Sequence, residues 1–478
     1  MGSAFHIENF GCRAARADGE AVGERLRASG HCSQPLTEAD VVVVNTCSVT
    51  AEADRAARAF IRRAHRLNPE ARILVTGCYA QRAPEELARM DGVAAVVGNS
   101  HKALAPEIAM RLAEPAGLRT QVPDSADFVP VRTLLAGSSH TATPIWVDGR
   151  FAHSFVEGAE LLPGTQTRPN LKIQEGCSNR CTFCVIPETR GHSRSLPAES
   201  VMERVRNFVA AGGNELVLSG INMGRWGRDL PGAEGSRLSL AQLLRRIFAE
   251  TDLPRLRLSS IEPMDWDNEL IAVIREHAGD RLARHAHLPL QSGSDTVLRR
   301  MHRRYRPWHY EQKVTALLDA IGPDLTLGAD VMVGFPGETD REFEETCRII
   351  RELPFGYLHI FPFSARPGTP GWQMHAESPV PPRVVTERQV ILVTLARDRM
   401  LAHRSRFAAN SLRAITLHTP DPLRSVGRTL GLTDNFLPVE IEGGIAANRF
   451  TQIRVTGLTP DLVLTACAEG RDTDPAAI

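Results

Sequence analysis

The chain has 478 residues, 42% of them hydrophobic, and its 56 Lys and Arg are balanced by 56 Asp and Glu. That length exceeds one core and suits two to four domains; zero net charge excludes a global field that gathers polyanions; and no stretch reaches the roughly 18 consecutive apolar residues of a membrane span. The opening MGSAFHIENF lacks the basic start and apolar run of a secretory leader, so the expected compartment is the cytoplasm, where nine cysteines are free, catalytic or metal-bound rather than paired.

Residues 1–115 alternate short apolar runs with helix-period stretches. SAFHIENFGC, DVVVVNTC and RILVTGCYA read as strands that run out at Cys12, Cys47 and Cys78, with helices such as TAEADRAARAFIRRAHRL between them. Strand–helix alternation implies a doubly wound parallel sheet, whose carboxyl ends share one edge. The three cysteines are therefore expected to converge, with Gly11 and Gly77 permitting close backbone approach. Each alone reads as a small buried hydrophobe; the recurrence at one strand end favours a shared site. Cys32, Cys347 and Cys467 have no such company and are expected to be packing residues.

Residues 116–166 are rich in Pro, Gly, Ser and Thr and read as a linker that can carry a hairpin. From 167 to 400 the alternation returns six times, with strands LKIQEG, ELVLSGIN, RLRLSSIEP, HAHLPLQSG, LGADVMVGF and YLHIFPF. Six βα units imply a partial TIM-like barrel with its chemistry at the carboxyl ends of the strands. Residues 404–470 hold short alternating runs, LRAITLH, FLPVEIEG, FTQIRVTGL and LVLTACAEG, the pattern of a small β-barrel of an RNA-binding kind.

The loop after the first barrel strand, EGCSNRCTFC, places Cys177, Cys181 and Cys184 within eight positions. Three thiolates leave a tetrahedral zinc site one ligand short, which His192 could supply. They also suit a [4Fe-4S] cluster with one iron left open, and Phe183 stands beside the last thiol. The GCSNRCTFC run has the C-x3-C-x2-C signature of the radical S-adenosylmethionine enzymes. KIQEGCSNRCTFCVIPETRGHSRS, LPLQSGSDTVLRRMHRRY, ADVMVGFPGET and HIFPFSARPGTP resemble the body of the methylthiotransferases.

The resemblance implies two [4Fe-4S] clusters and S-adenosylmethionine: a radical cluster on Cys177, Cys181 and Cys184, and an auxiliary, sulfur-carrying cluster on Cys12, Cys47 and Cys78. It implies that Phe183 and the stretch Ser219, Gly220 and Asn222 meet the cofactor, with Glu262 and Gln291 as further contacts to cofactor or nucleoside. It implies that the closing barrel binds RNA, that the partners are the anticodon loop of tRNA and an electron donor such as flavodoxin or ferredoxin, and that the chain acts as a monomer without a membrane. One departure stands out: after Cys12 the family continues with Lys or Gln and an Asn, whereas this chain reads RAARADGE, so the surroundings of that ligand differ. The motifs are most similar to the branch that methylthiolates carbon 2 of N6-threonylcarbamoyladenosine; the isopentenyladenosine branch and a noncatalytic iron–sulfur RNA-binding protein are the alternatives.

Only Lys102, Lys172 and Lys313 are lysines; the other basic residues are arginines, most of them attributable to codon bias. Arg55, Arg58, Arg62 and Arg66 share one helix face and read as solvated. Arg299, Arg300, Arg303, Arg304 and Arg306 crowd eight positions with His302 and would repel one another unless an anion offsets them, so they are the expected tRNA phosphate contacts. A threonylcarbamoyl carboxylate also needs a cationic partner, for which Arg194 and Arg366 are candidates.

Overall fold

The computed structural model describes residues 3–114, 143–152, 161, 167–232 and 237–469. Most of the expected linker, 116–166, lies outside the described residues.

The first sheet contains β1 (Ala4–Asn9), β2 (Cys32–Ser33), β3 (Val41–Thr46), β4 (Arg72–Gly77), β5 (Val93–Gly98) and β6 (Ile145–Trp146), all parallel in the order β2-β1-β3-β4-β5-β6. The described part of the linker thus supplies an edge strand, β6. All six residues of β3 are buried, as expected for a central strand covered on both faces. Val42 and Val44 pack with Ala57, Ile61 and Ala64 of the helix Ala51–Leu67, while Val41 and Val43 pack with Val22 and Leu26 of the helix Arg13–Ala28. Pairing of Asn9 with Asn45 and of Thr46 with Gly77 brings the three strands to an end within a residue of one another. Cys12, Cys47 and Cys78 all follow at that edge.

The central region holds β7 (Asn170–Glu175), β8 (Arg194–Ser195), β9 (Glu215–Gly220), β10 (Arg255–Leu258), β11 (His285–His287), β12 (Thr326–Val333) and β13 (Phe355–Pro362). β7, β9 and β10 are parallel neighbours, as are β11, β12 and β13, and β8 pairs antiparallel with β7. The bridge Leu256↔Leu282 and a 3.0 Å bond from Ile261 N to His287 O join the two groups. The result is the six-stranded partial barrel expected from the sequence. Leu171, Ile173, Leu216, Leu218, Leu256, Leu258, Leu327, Ala329 and Val331 point to the helices and form the main core. Period-two alternation turns the intervening residues Lys172, Gln174, Glu215, Arg257, His285, His287 and Asp330 inward, so the concave side is polar.

The last region is a closed barrel of β14 (Ser411–Thr416), β15 (Arg428–Thr433), β16 (Pro438–Glu442), β17 (Phe450–Leu458) and β18 (Leu464–Ala468), ordered β14-β15-β16-β18-β17. β15, RTLGLT, is absent from the sequence expectation: Gly431 interrupts a short run whose Leu430 and Leu432 are the only large apolar residues, and it hides a strand that buries Leu432 and pairs along β16. The barrel is bolted to the central region by Arg257, which donates to Thr433 O and Asp434 O at 3.1 Å, and by Arg284 on Asp434 at 2.6 Å. No helix among the described residues is long and apolar enough to cross a membrane.

Candidate active site

All nine cysteines are free thiols. Cys47 is 5% exposed and Cys78 4% exposed, and burial with Cys78 and Cys12 as neighbours pushes the Cys47 thiol up to about 12. The approach is tight: a Cβ on Gly11, at φ 108°, would lie 2.6 Å from Cys47 Cβ and 2.8 Å from its Sγ. In the second triad burial pushes Cys184 up to about 12, with Cys181 and Cys177 adding to it, and burial also raises Cys177. Thiols held neutral by burial and by one another ionise when a cation binds among them, which is the behaviour of a metal–sulfur site. Cys32, expected to be a packing residue, is instead exposed at the sheet edge, whereas Cys347 is buried.

Each triad has one buried arginine and one amide donating to sulfur. Arg190, in the short helix Ile186–Arg190 that follows Cys184, donates from Nε to Cys78 Sγ at 3.2 Å, and Asn99 Nδ2 donates to the same sulfur at 3.3 Å. Arg303 Nη1 donates to Cys181 Sγ at 3.3 Å, and Asn222 Nδ2 to Cys177 Sγ at 3.7 Å. Arg190 therefore connects the two cysteine sites through the chain. Around it Asp18 contacts Lys102, Lys172 and Arg190, while Glu175 contacts Lys172 and accepts from Arg190 at 2.6 Å. Burial opposes the charge on both carboxylates, but Lys102, Lys172 and Arg190 outweigh it, holding Asp18 well below the usual range; Arg190 and Lys172 likewise hold Glu175 at about 2. Three cations thus face two carboxylates, and the surplus positive charge lies against Cys78.

Sequence reasoning missed this network, although one signal was there. A chain that writes almost every cation as arginine has lysine at 102 and 172. A compact ammonium fits between closely set carboxylates where a planar fork does not.

The remaining expected contacts gather at the barrel mouth. Ser219 Oγ, Asn222 Oδ1 and Gln291 Oε1 are buried without a hydrogen-bond partner. Gln291 also holds φ 61°, a backbone state that costs a non-glycine residue ~1–3 kcal/mol and clusters at functional sites. Such unpaired groups fit a missing polar ligand, as the amino acid and ribose parts of S-adenosylmethionine would be. Gly220 ends β9, Phe183 is half-buried against the core, and Glu262 pairs with Arg303.

The arginine run 299–306 is ion-paired within the chain. Its charge is offset from within: Arg299 pairs with Asp295 at 2.9 Å, Arg300 with Glu342 at 2.8 Å, Arg304 with Asp265 at 3.4 Å and Arg306 with Asp295 at 3.1 Å. Arg303 is 7% exposed and held between Glu262 and Cys181. Arg366 is likewise committed, to Asp54 and to Ser48 at 3.0 Å, where it ties the loop after β13 to the loop after Cys47. Arg194 donates to the carbonyls of His192 and Arg190 and lies over Phe151. Arg13, in the divergent stretch after Cys12, turns away to lie 5.7 Å over Phe436 of the closing barrel.

Comparison with known proteins accords with this geometry. The profile described as uncharacterized protein family UPF0004 matches residues 4–98, and that of the radical SAM superfamily matches 171–350. The chain is 35% identical to the threonylcarbamoyladenosine tRNA methylthiotransferase MtaB of Bacillus subtilis, over 92% of this chain and 90% of that protein. It is 33% identical to a tRNA-2-methylthio-N(6)-dimethylallyladenosine synthase of Erythrobacter litoralis, over 96% and 95%. Among solved structures, the radical S-adenosylmethionine methyltransferase TsrM of Kitasatospora setae shares the fold, at TM-score 0.50 and 17% identity over 79% of this chain and 78% of that one. With relatives of this identity spanning nearly its whole length, the chain belongs to the radical S-adenosylmethionine methylthiotransferases, in the MtaB-type branch.

Proposed function

We propose that the protein adds a methylthio group to carbon 2 of N6-threonylcarbamoyladenosine beside the anticodon of tRNA. The observation that carries this reading is the junction at Arg190, which ties buried Cys78 of the Cys12, Cys47 and Cys78 triad to the segment just after the second triad, beside one polar barrel mouth. When bound, two [4Fe-4S] clusters and S-adenosylmethionine supply the radical and sulfur chemistry. Cys177, Cys181 and Cys184 would hold one cluster, and Cys12, Cys47 and Cys78 the other. The unpaired polar atoms of Ser219, Asn222 and Gln291 would orient the cofactor, and Arg190 and Arg303 would donate to ligand sulfurs. A thiolate at Cys78 balances the surplus charge of the Asp18 network, which supports its role as a ligand. The anticodon loop of tRNA, whose bases are splayed at modest cost, and a flavodoxin- or ferredoxin-type electron donor complete the reading.

The test is mass spectrometry of tRNA nucleosides from a host that lacks its own methylthiotransferases and expresses this chain. The 2-methylthio derivative of N6-threonylcarbamoyladenosine is expected. Accumulation of the isopentenyl counterpart alone would overturn the substrate and leave the chemistry intact.

A further inference from the structure

On the inner face of the central barrel, with no cysteine among them, His287 of β11, Asp330 of β12 and His359 of β13 stand on three adjacent parallel strands. Their donor atoms lie within 4.8 Å of one another. His287 Nε2 is 3.5 Å and His359 Nδ1 3.4 Å from the same oxygen, Asp330 Oδ1. Those separations exceed the usual hydrogen-bond length of about 2.7–3.2 Å. They match instead the ~3.4 Å edge of a tetrahedron whose bonds to a central ion are ~2.1 Å. The His287 side chain is 10% exposed and its Nε2 has no hydrogen-bond partner, a donor atom left unused in a buried place. The floor beneath is built to hold the ring still: Tyr357 lies parallel to His287, centroids 5.8 Å apart at 5°, and accepts or donates a 2.8 Å bond with His285. A Cβ on Gly328 would strike that tyrosine at 2.1 Å, so the glycine is what admits it. His359 is 66% exposed, which leaves one side of the cluster accessible.

We infer that His287, Asp330 and His359 form a site for one divalent first-row transition ion, Zn2+ or Fe2+. Two borderline imidazoles with one hard carboxylate are a donor set found on those ions, and three protein ligands leave positions open. On the substrate reading above, the open positions take oxygen donors of the threonyl group, its carboxylate and hydroxyl. That assignment answers a need left by Arg366 and Arg194, which are occupied elsewhere. The ion is a Lewis-acid anchor here and undergoes no change of oxidation state.

The test uses the full chain, anaerobically reconstituted so that cluster ligands are filled, stripped of loose metal with a chelator, and equilibrated with Zn2+ alone. About one zinc per chain beyond the cluster iron is expected, with affinity falling at least ~10-fold in His359→Ala and in Asp330→Asn while iron and sulfide stay constant. His359→Ala touches an open residue, so it leaves the fold unthreatened, and His287→Ala serves as the buried counterpart. No zinc in the wild type, or equal zinc in wild type and variants, overturns the site. Because zinc is counted without tRNA, the result is independent of the substrate: zinc bound by a chain that makes only the isopentenyl product keeps the ion and refutes the threonyl ligand.

Discussion

Arg190 shows how much one side chain can carry. It is fully buried, it is the third cation against two carboxylates, and its Nε reaches the sulfur of Cys78. A cationic donor to a ligand sulfur favours the more negative, reduced form of a cluster and so raises its potential. Arg190→Met leaves Asp18 and Glu175 opposite Lys102 and Lys172, a balanced set, so the fold should survive the change. The expected outcome is a lower reduction potential for the cluster proposed on Cys12, Cys47 and Cys78, measured by EPR-monitored titration in a chain whose Cys177, Cys181 and Cys184 are alanine. Arg190→Lys should restore part of the shift. An unmoved potential with full iron would reduce Arg190 to a structural tie between domains.

At the scale of elements, the parallel register of β1, β3 and β4 does the assembling. Paired residues end the three strands together, and each chain then turns at a cysteine. The turn after β4 depends on Gly77: its φ is 99°, and a Cβ there would lie 2.3 Å from Thr46 O and 2.6 Å from Thr46 N, backbone that cannot swing aside. Gly77→Ala should therefore cost ~1–3 kcal/mol or more, seen in the denaturant midpoint, and selectively lower iron in the cluster proposed on Cys12, Cys47 and Cys78. Full iron at an unchanged midpoint would show that the strand end relaxes freely. This much of the site was legible in the sequence, because a cysteine at the end of each apolar run has only one place to go in a parallel sheet. The partners of those thiols were not legible: Asn99, Arg190 and Arg303 approach from other segments, and nothing in local pattern marks an arginine as buried.

For the whole molecule, charge is balanced at short range rather than pooled. Glu215 accepts from Arg257 at 2.9 Å within the barrel, Asp434 joins the closing barrel to Arg284, and Asp54 with Arg366 joins the first sheet to the central region. Of the arginines in the run 299–306, those that face outward most are Arg299 and Arg304, with side chains 60% and 45% exposed. Changing both to Glu should weaken binding of every tRNA tested and flatten its salt dependence, by roughly one unit of slope for each phosphate no longer neutralised. Cleavage of S-adenosylmethionine without RNA should be unaffected. An identical slope would place the tRNA backbone elsewhere, with the closing barrel the surface to examine next.

Hydrophobic period, strand-end cysteines and the C-x3-C-x2-C run determined the order of the three regions, the parallel topology of the first two and both thiol triads, because those features depend on neighbours a few residues apart or on one shared sheet edge. Tertiary structure alone decided which charges meet. Asp18 finds Lys172 across 154 positions and Arg190 across 172, and Arg303 is taken from the surface by Glu262, 41 residues away. Burying a charge demands a partner at close range, and the chain supplies that partner by its path through space, which no local spacing records.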